Sequence, residues 1–218
     1  ADNDVVPIYY RFIQTGSSRT ITSSDASVRK RNYIVQNNVR NHAFADIARY
    51  YHEQGKQVLV MCETVEHVLR MWNLLPEAVG VYRAVSADIV TRMKNNKMWD
   101  PKFPLVYSPS LMREVQDAFA SRELTMAIAN SVWHKGKDFP SLDVTVRTDA
   151  ISTKEACTQI GGRLARKGKA FGLLIDGLDE FDNSMSRNSG VRESVYISHG
   201  WKSWEESPIF EHKQPHLF

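Results

Sequence analysis

Gln57-Val58-Leu59-Val60-Met61-Cys62-Glu63-Thr64-Val65-Glu66-His67-Val68-Leu69-Arg70-Met71-Trp72-Asn73-Leu74-Leu75 reads as one strand followed directly by one helix. Gln57 to Cys62 is a short apolar run rich in valine, without a polar alternation, as expected of a parallel strand buried on both faces. Thr64 then opens a helix with Val68, Met71, Trp72 and Leu75 on one side, and Pro76 follows its end. Upstream, Phe44, Ile47, Ala48 and Tyr51 mark a helix over Asn41 to Gln54, which Gly55 ends.

Working outward, the same alternation continues. Val5 to Phe12, Val79 to Tyr82, Leu124 to Ala129, Leu142 to Arg147 and Phe171 to Asp176 are candidate strands. Leu111 to Ala120 and Thr153 to about Ala165 are candidate helices, and Gly16 to Ser27, rich in Ser and Thr, reads as a loop. Strands alternating with helices over short connections predict an α/β domain, a parallel sheet flanked by helices on both faces. Ligands of such sheets sit at the loops beyond the carboxyl ends of the strands. Arg83 to Pro104 breaks the pattern; it is polar and turn-rich (MKNNKMWDPKFP) and reads as an inserted excursion.

Composition narrows the class. At 218 residues with 42% hydrophobic content, the chain can bury one good core. A formal net charge of +3 permits an anionic partner without identifying one. Local clusters say more: Arg29, Lys30, Arg31 and Arg40 near the start, and Arg163, Arg166, Lys167 and Lys169 later. Cys62 and Cys157 form neither a disulfide framework nor a metal-binding pair, which excludes a structural zinc reading. They read as core residues of a protein in a reducing cytoplasm. No apolar run has the length of a membrane span, and Ala1 in place of Met reads as a fragment or a processed chain.

Chemistry concentrates in Gln159-Ile160-Gly161-Gly162-Arg163-Leu164-Ala165-Arg166. Two arginines three apart on a helix share a face, and guanidinium groups bind phosphate oxygens bidentately. On spacing alone, a basic helix end explains the pair better. Its company decides. This QxxGRxxR segment resembles motif VI of superfamily-2 nucleic-acid helicases. Ala129 to Asp143 (ANSVWHKGKDFPSLD) resembles their motif V, and Val58 to Thr64 (VLVMCET) their motif IV, in the family's order. The flanks Asn38-Val39-Arg40-Asn41, Lys169 to Asp179 and Arg187 to Tyr196 resemble the phage recombination and repair helicases.

The resemblance implies a RecA-like C-terminal helicase lobe over residues 31–192, with an insertion at about 83–104. Residues 1–30 would be strand and linker from a first lobe, and 193–218 a tail. It implies that Arg163 and Arg166 are arginine fingers, the catalytic residues. Gln159, Gly136 and Asp138 would serve the nucleotide; Thr64, Asn130, Ser131 and Trp133 would touch nucleic acid, Trp133 by stacking on a base, although an aromatic at such a place more often packs the loop against the core. Gly162 would allow a phosphate or backbone to come close. His134, Lys135, Lys137 and Ile160 depart from the usual motif residues. The implied cofactors are ATP and Mg2+, held mainly by the N-terminal RecA-like lobe. The implied partner is single-stranded or branched DNA, with RNA left open because backbone contacts of this class serve either, in the cytoplasm of a bacterial host if the chain is phage-encoded.

Two look-alikes are set aside. Gly162 to Lys169 has five residues between its glycines and Ala170 where a P-loop needs Ser or Thr, so no GxxxxGK[ST] occurs in the chain. Asp176 with Asp179 and Glu180 resembles a magnesium-holding acidic motif but reads as structural. Phosphoryl transfer needs the phosphate cradle, its lysine and the metal ligands as well as a finger, so this chain alone is predicted inactive as an ATPase. The alternatives are a nucleic-acid-binding or regulatory module on a helicase-lobe fold, and a small nucleotide transferase using Asp176 and Asp179.

Overall fold

In the computed structural model, residues 6–133, 139–165 and 169–207 are described. Strand β2 (Val58–Met61) lies at the heart of the sheet, and all four of its residues are fully buried. Val58 and Val60 pack into one core; Leu59 and Met61 pack into the other. On its edges β2 pairs in parallel with β4 (Met126–Ala129) and β5 (Val144–Arg147). A strand covered on both faces and both edges has no solvent side, which is why its sequence shows no alternation.

The remaining strands are β1 (Ile8–Gln14), β3 (Val79–Val81), β6 (Gly172–Leu178) and β7 (Lys202–Ser203). The order is β3-β4-β2-β5-β6-β1-β7, and every strand pairing is parallel. Helices α2 (Asn38–Glu53) and α3 (Val65–Leu74) cover one face through Phe44, Ile47, Val68 and Met71. Helices α5 (Pro109–Ala120), α6 (Lys154–Gly162) and α7 (Asn183–Ser198) cover the other through Phe119, Cys157, Ile160 and Tyr196. A short α1 (Ala26–Lys30) and a π-turn (Arg31–Val35) precede α2. Starts are set by side-chain caps: Asn37, Thr64, Ser108, Thr153 and Asp182 each accept a hydrogen bond from the first turn of their helix. Each cap contributes roughly 1 kcal/mol.

The structure departs from the sequence reading in three places. The N-terminal strand runs from Ile8 and lies inside the sheet, between β6 and β7. Residues 193–207, expected as tail, carry the core side chains Val195, Tyr196 and Trp204 and the strand β7. The polar, turn-rich excursion contains a helix packed on the core. It forms α4 (Ala87–Asn95), and it buries Met93 and Phe103, the latter 5.1 Å from the Trp72 ring. Val85, Ile89 and Met93 recur every four residues and pack on the core, a helical spacing that the polar, turn-rich residues after Met93 obscure in the sequence. Among the described residues, no helix is long and apolar enough to cross a membrane.

Candidate nucleic-acid and nucleotide interface

Strands β2 and β4 end side by side, with Met61 opposite Ala129 and the Cys62 N–H donating to the Ala129 carbonyl at 2.8 Å. Their continuations carry Thr64 and Asn130-Ser131, so three of the expected backbone-contact residues share one stretch of the carboxyl edge, where parallel sheets place ligands. Thr64 is exposed and caps α3, its Oγ1 accepting from the His67 N–H at 3.2 Å. The hydroxyl proton stays available, and the positive end of the α3 dipole lies beside it. Ser131 is exposed, and Asn130 is largely buried, its Oδ1 accepting from the Val132 N–H at 3.4 Å.

For Trp133 the structure removes the stacking role expected at a nucleic-acid groove and leaves the packing one. The residue is fully buried, with ring centroids 5.4 Å from Phe119 and 4.9 Å from Phe139. Its faces are taken by the core, so it packs the loop after β4 and presents no surface to a base. An aromatic residue beside a binding loop has two such uses, and burial separates them.

Arg163 caps the carboxyl end of α6 and is also buried, 6% exposed. Its Nη2 donates to the Trp133 carbonyl, and its guanidinium lies 5.7 Å from the Phe139 ring centre. The expected finger thus rests on the loop that follows Ser131. Gln159 and Gly162 are exposed on the same helix, and a Cβ on Gly162 would meet open space. Gly161 is the glycine that close packing requires, since a Cβ there would stand 1.7 Å from the Trp201 ring. Arg166, Gly136 and Asp138 lie outside the described residues.

The acidic look-alike resolves into structure. Asp176 accepts from Arg192 Nε (2.9 Å), the Tyr196 hydroxyl (2.6 Å) and the Gly177 N–H (2.7 Å). Asp179 accepts from Arg40 Nε (2.7 Å) and Nη2 (3.1 Å), and Arg147 pairs with Asp149 at 2.9 Å. Burial pushes the Asp176 carboxyl up, but Arg192 and Arg147 outweigh it and hold it below the ordinary range. Both carboxylates are consumed by arginines, which removes the transferase reading. Among the described residues, no cluster of His, Cys, Asp and Glu could hold a metal ion.

No protein-family model and no curated protein matches the chain. Solved structures do. The crystal structure of T4 UvsW matches over 90% of this chain at a TM-score of 0.61 and 15% identity. S. cerevisiae Dbp5 L327V bound to RNA and ADP BeF3 matches over 89% at 0.55 and 11% identity. In both cases the chain spans only 40% of the other protein. The C-terminal domain of the DEAD-box protein Dbp5 matches at 0.52 and 11% identity, over 91% of this chain and 88% of that one. At such identities the likeness is one of fold: the chain has the RecA-like fold of a C-terminal helicase lobe.

Proposed function

We propose that this chain is the second motor lobe of an ATP-dependent superfamily-2 helicase or translocase acting on DNA, in branch remodelling, recombination or repair. The observation that carries the reading is the hydrogen bond from Arg163 to the Trp133 carbonyl. It ties the QxxGR helix to the loop holding Asn130 and Ser131, so movement of the arginine and grip on a strand are mechanically joined. The DNA assignment rests on the likeness of the flanking segments to the phage recombination helicases.

The residues present suit half of a nucleotide site. Exposed Gln159 and the open surface over Gly162 would face ATP, while the phosphate cradle and the Mg2+ ligands belong to an N-terminal lobe. Bound between the lobes, ATP would supply the energy of closing and, on hydrolysis, of release. Arg163 and Arg166 would hold its phosphate oxygens, Arg163 in place of the Trp133 carbonyl. The loop released from Arg163 would then shift Ser131 against Thr64 and change their hold on the backbone. An interaction made in one state and absent from the other is what such a cycle requires.

In the full-length protein, Arg166→Ala is expected to abolish DNA-stimulated ATP turnover and leave DNA affinity nearly unchanged. Loss of binding instead would put that arginine on the nucleic acid. Turnover measured from the 218-residue chain alone would overturn the half-site reading.

A further inference from the structure

Helix α4 of the inserted segment does more than cover the core. Its Arg92 reaches over Glu66, two residues beyond Thr64. Glu66 is buried; its Oε2 accepts from Arg31 Nη2 at 2.7 Å and Arg92 Nε at 3.3 Å. Its Oε1 accepts from Arg70 Nη2 at 3.0 Å and Gln36 Nε2 at 2.8 Å. One carboxylate therefore serves three guanidinium groups. Beside it, Lys30 pairs with Glu63 at 2.8 Å, and Arg92 also meets the exposed Asp88 at 3.3 Å. Four cations stand against three carboxylates, and the positive end of α3 adds to the excess.

Between α1 and α4 these groups line an open cleft of about 320 Å³, in which Lys30, Arg31, Thr64 and Arg92 stand beside the paired carboxylates Glu63 and Glu66, with Val35 and Ile89 as apolar surface. The side chains of Lys30, Arg31 and Arg92 are 33%, 39% and 34% exposed, within reach of a ligand. A docking clamp for α4 would not need this arrangement. Arg70 already satisfies Glu66 from within α3, and Met93 and Phe103 already anchor the segment. What the arrangement offers is two forked donors held in place before a ligand arrives, beside apolar surface. That combination suits the phosphate and sugar of a polynucleotide backbone.

We propose that this cleft is a phosphodiester site, gripped by Arg31 and Arg92, so that segment 83–104 forms one wall of a DNA groove that begins at Thr64. The proposal rests on the motor-lobe reading and names a part of its DNA path. The test titrates the 218-residue chain with a fluorescein-labelled oligothymidylate, following anisotropy between about 50 and 200 mM salt. Three double variants are compared: Arg31→Gln with Arg92→Gln, Arg31→Lys with Arg92→Lys, and Thr64→Ala with Ser131→Ala.

The glutamine pair is expected to weaken binding about tenfold and to lower the salt slope by about one, with the urea midpoint held. The lysine pair should recover the slope and part of the affinity, because charge returns without the fork. Unchanged slope and affinity in the glutamine pair, or a collapsed urea midpoint with an unchanged slope, overturns the cleft as a site. If the Thr64 and Ser131 pair still weakens binding in that case, the motor-lobe reading stands. If the parent chain does not bind the probe, both fall.

Discussion

Two groups of arginines and carboxylates occupy the same carboxyl edge of the sheet, and they differ in balance and in exposure. In the closed group, Arg40, Arg147 and Arg192 meet Asp149, Asp176 and Asp179, and none of these side chains is more than 1% exposed. In the open group at Thr64, Arg31, Arg70 and Arg92 share Glu66, and two of the three guanidinium groups are more than a third exposed or close to it. Burial enforces neutrality, because an unmatched charge out of water costs several kcal/mol. Where water reaches, cations can outnumber carboxylates and wait for an anionic partner. Charged residues at a ligand edge therefore do not by themselves mark a binding site; their balance and exposure sort structure from recognition.

The sharpest way to break that contrast is to remove one charge from the closed group. Asp176→Asn leaves Arg147 and Arg192 facing a neutral amide, and its NH2 replaces either the oxygen that accepts from Arg192 and the Tyr196 hydroxyl or the one that accepts from the Gly177 N–H. Removing one partner of a buried pair costs about 3–5 kcal/mol, a large share of the roughly 5–15 kcal/mol that holds a domain folded. Urea denaturation should show a midpoint lowered by that loss. A change below about 1 kcal/mol would mean that water or rearrangement compensates, and the two groups would not differ in kind.

A second probe lies where the closed group meets the outer layer. Tyr196, bonded to Asp176, stacks on Trp201 at 5.3 Å, and Trp201 lies on Gly161. Gly161→Ala forces the indole away and should cost about 1–3 kcal/mol, as overpacking does. Gly162→Ala meets open space on the same helix and should be neutral or stabilising by up to about 1 kcal/mol. Equal effects of the two changes in a thermal melt would remove the packing argument.

Much of the sheet was legible because β2 is covered on every side, which makes its sequence uniformly apolar. The place of Thr64, Asn130 and Ser131 beyond strand ends was legible because short motifs mark it. The closed group could not be found that way. Arg40 and Asp179 are 139 positions apart, and only the sheet order brings α2 and β6 together. Trp133 and Arg163 were legible as residues of interest, but sequence carries no sign of which way they face. In the structure both turn inward. In segment 83–104 the helix escaped notice because the polar, turn-rich residues 94–102 outweighed the spacing of Val85, Ile89 and Met93, which pack on the core.

His67 sits between the two groups and reports on both. Its Nε2 contacts Asn41 Oδ1 at 3.1 Å. Burial, then Arg40 of the closed group and Arg70 of the open one, hold its imidazole neutral well below the usual 6.5. Below about pH 6.5 the unfolded chain takes up a proton that the folded chain refuses. The stability from this group is therefore complete above that pH. It falls on acidification by up to about 1.4 kcal/mol per pH unit. His67→Gln should flatten urea stability between about pH 6 and 5 relative to the parent chain. Asp176, held low, acts in the same direction but only below the ordinary carboxylate range of 3.8, so the two windows separate. An unchanged slope in His67→Gln would show that the histidine charges without cost, and that the space between the groups is wetter than its burial implies.

The smallest effect belongs to the open group, and its smallness is the point. Arg92→Gln removes one of three cations from Glu66 while Arg31 and Arg70 remain. The lost pair is about one-third exposed on the arginine side, so solvent screens it, and such pairs contribute roughly 0–1 kcal/mol. Relieving the crowding of positive charge offsets part of that loss. Urea stability should therefore move by less than about 0.5 kcal/mol. A loss as large as that of Asp176→Asn would make Arg92 a member of a closed network. The cleft at Thr64 would then be a fold element with nothing left over for a phosphate.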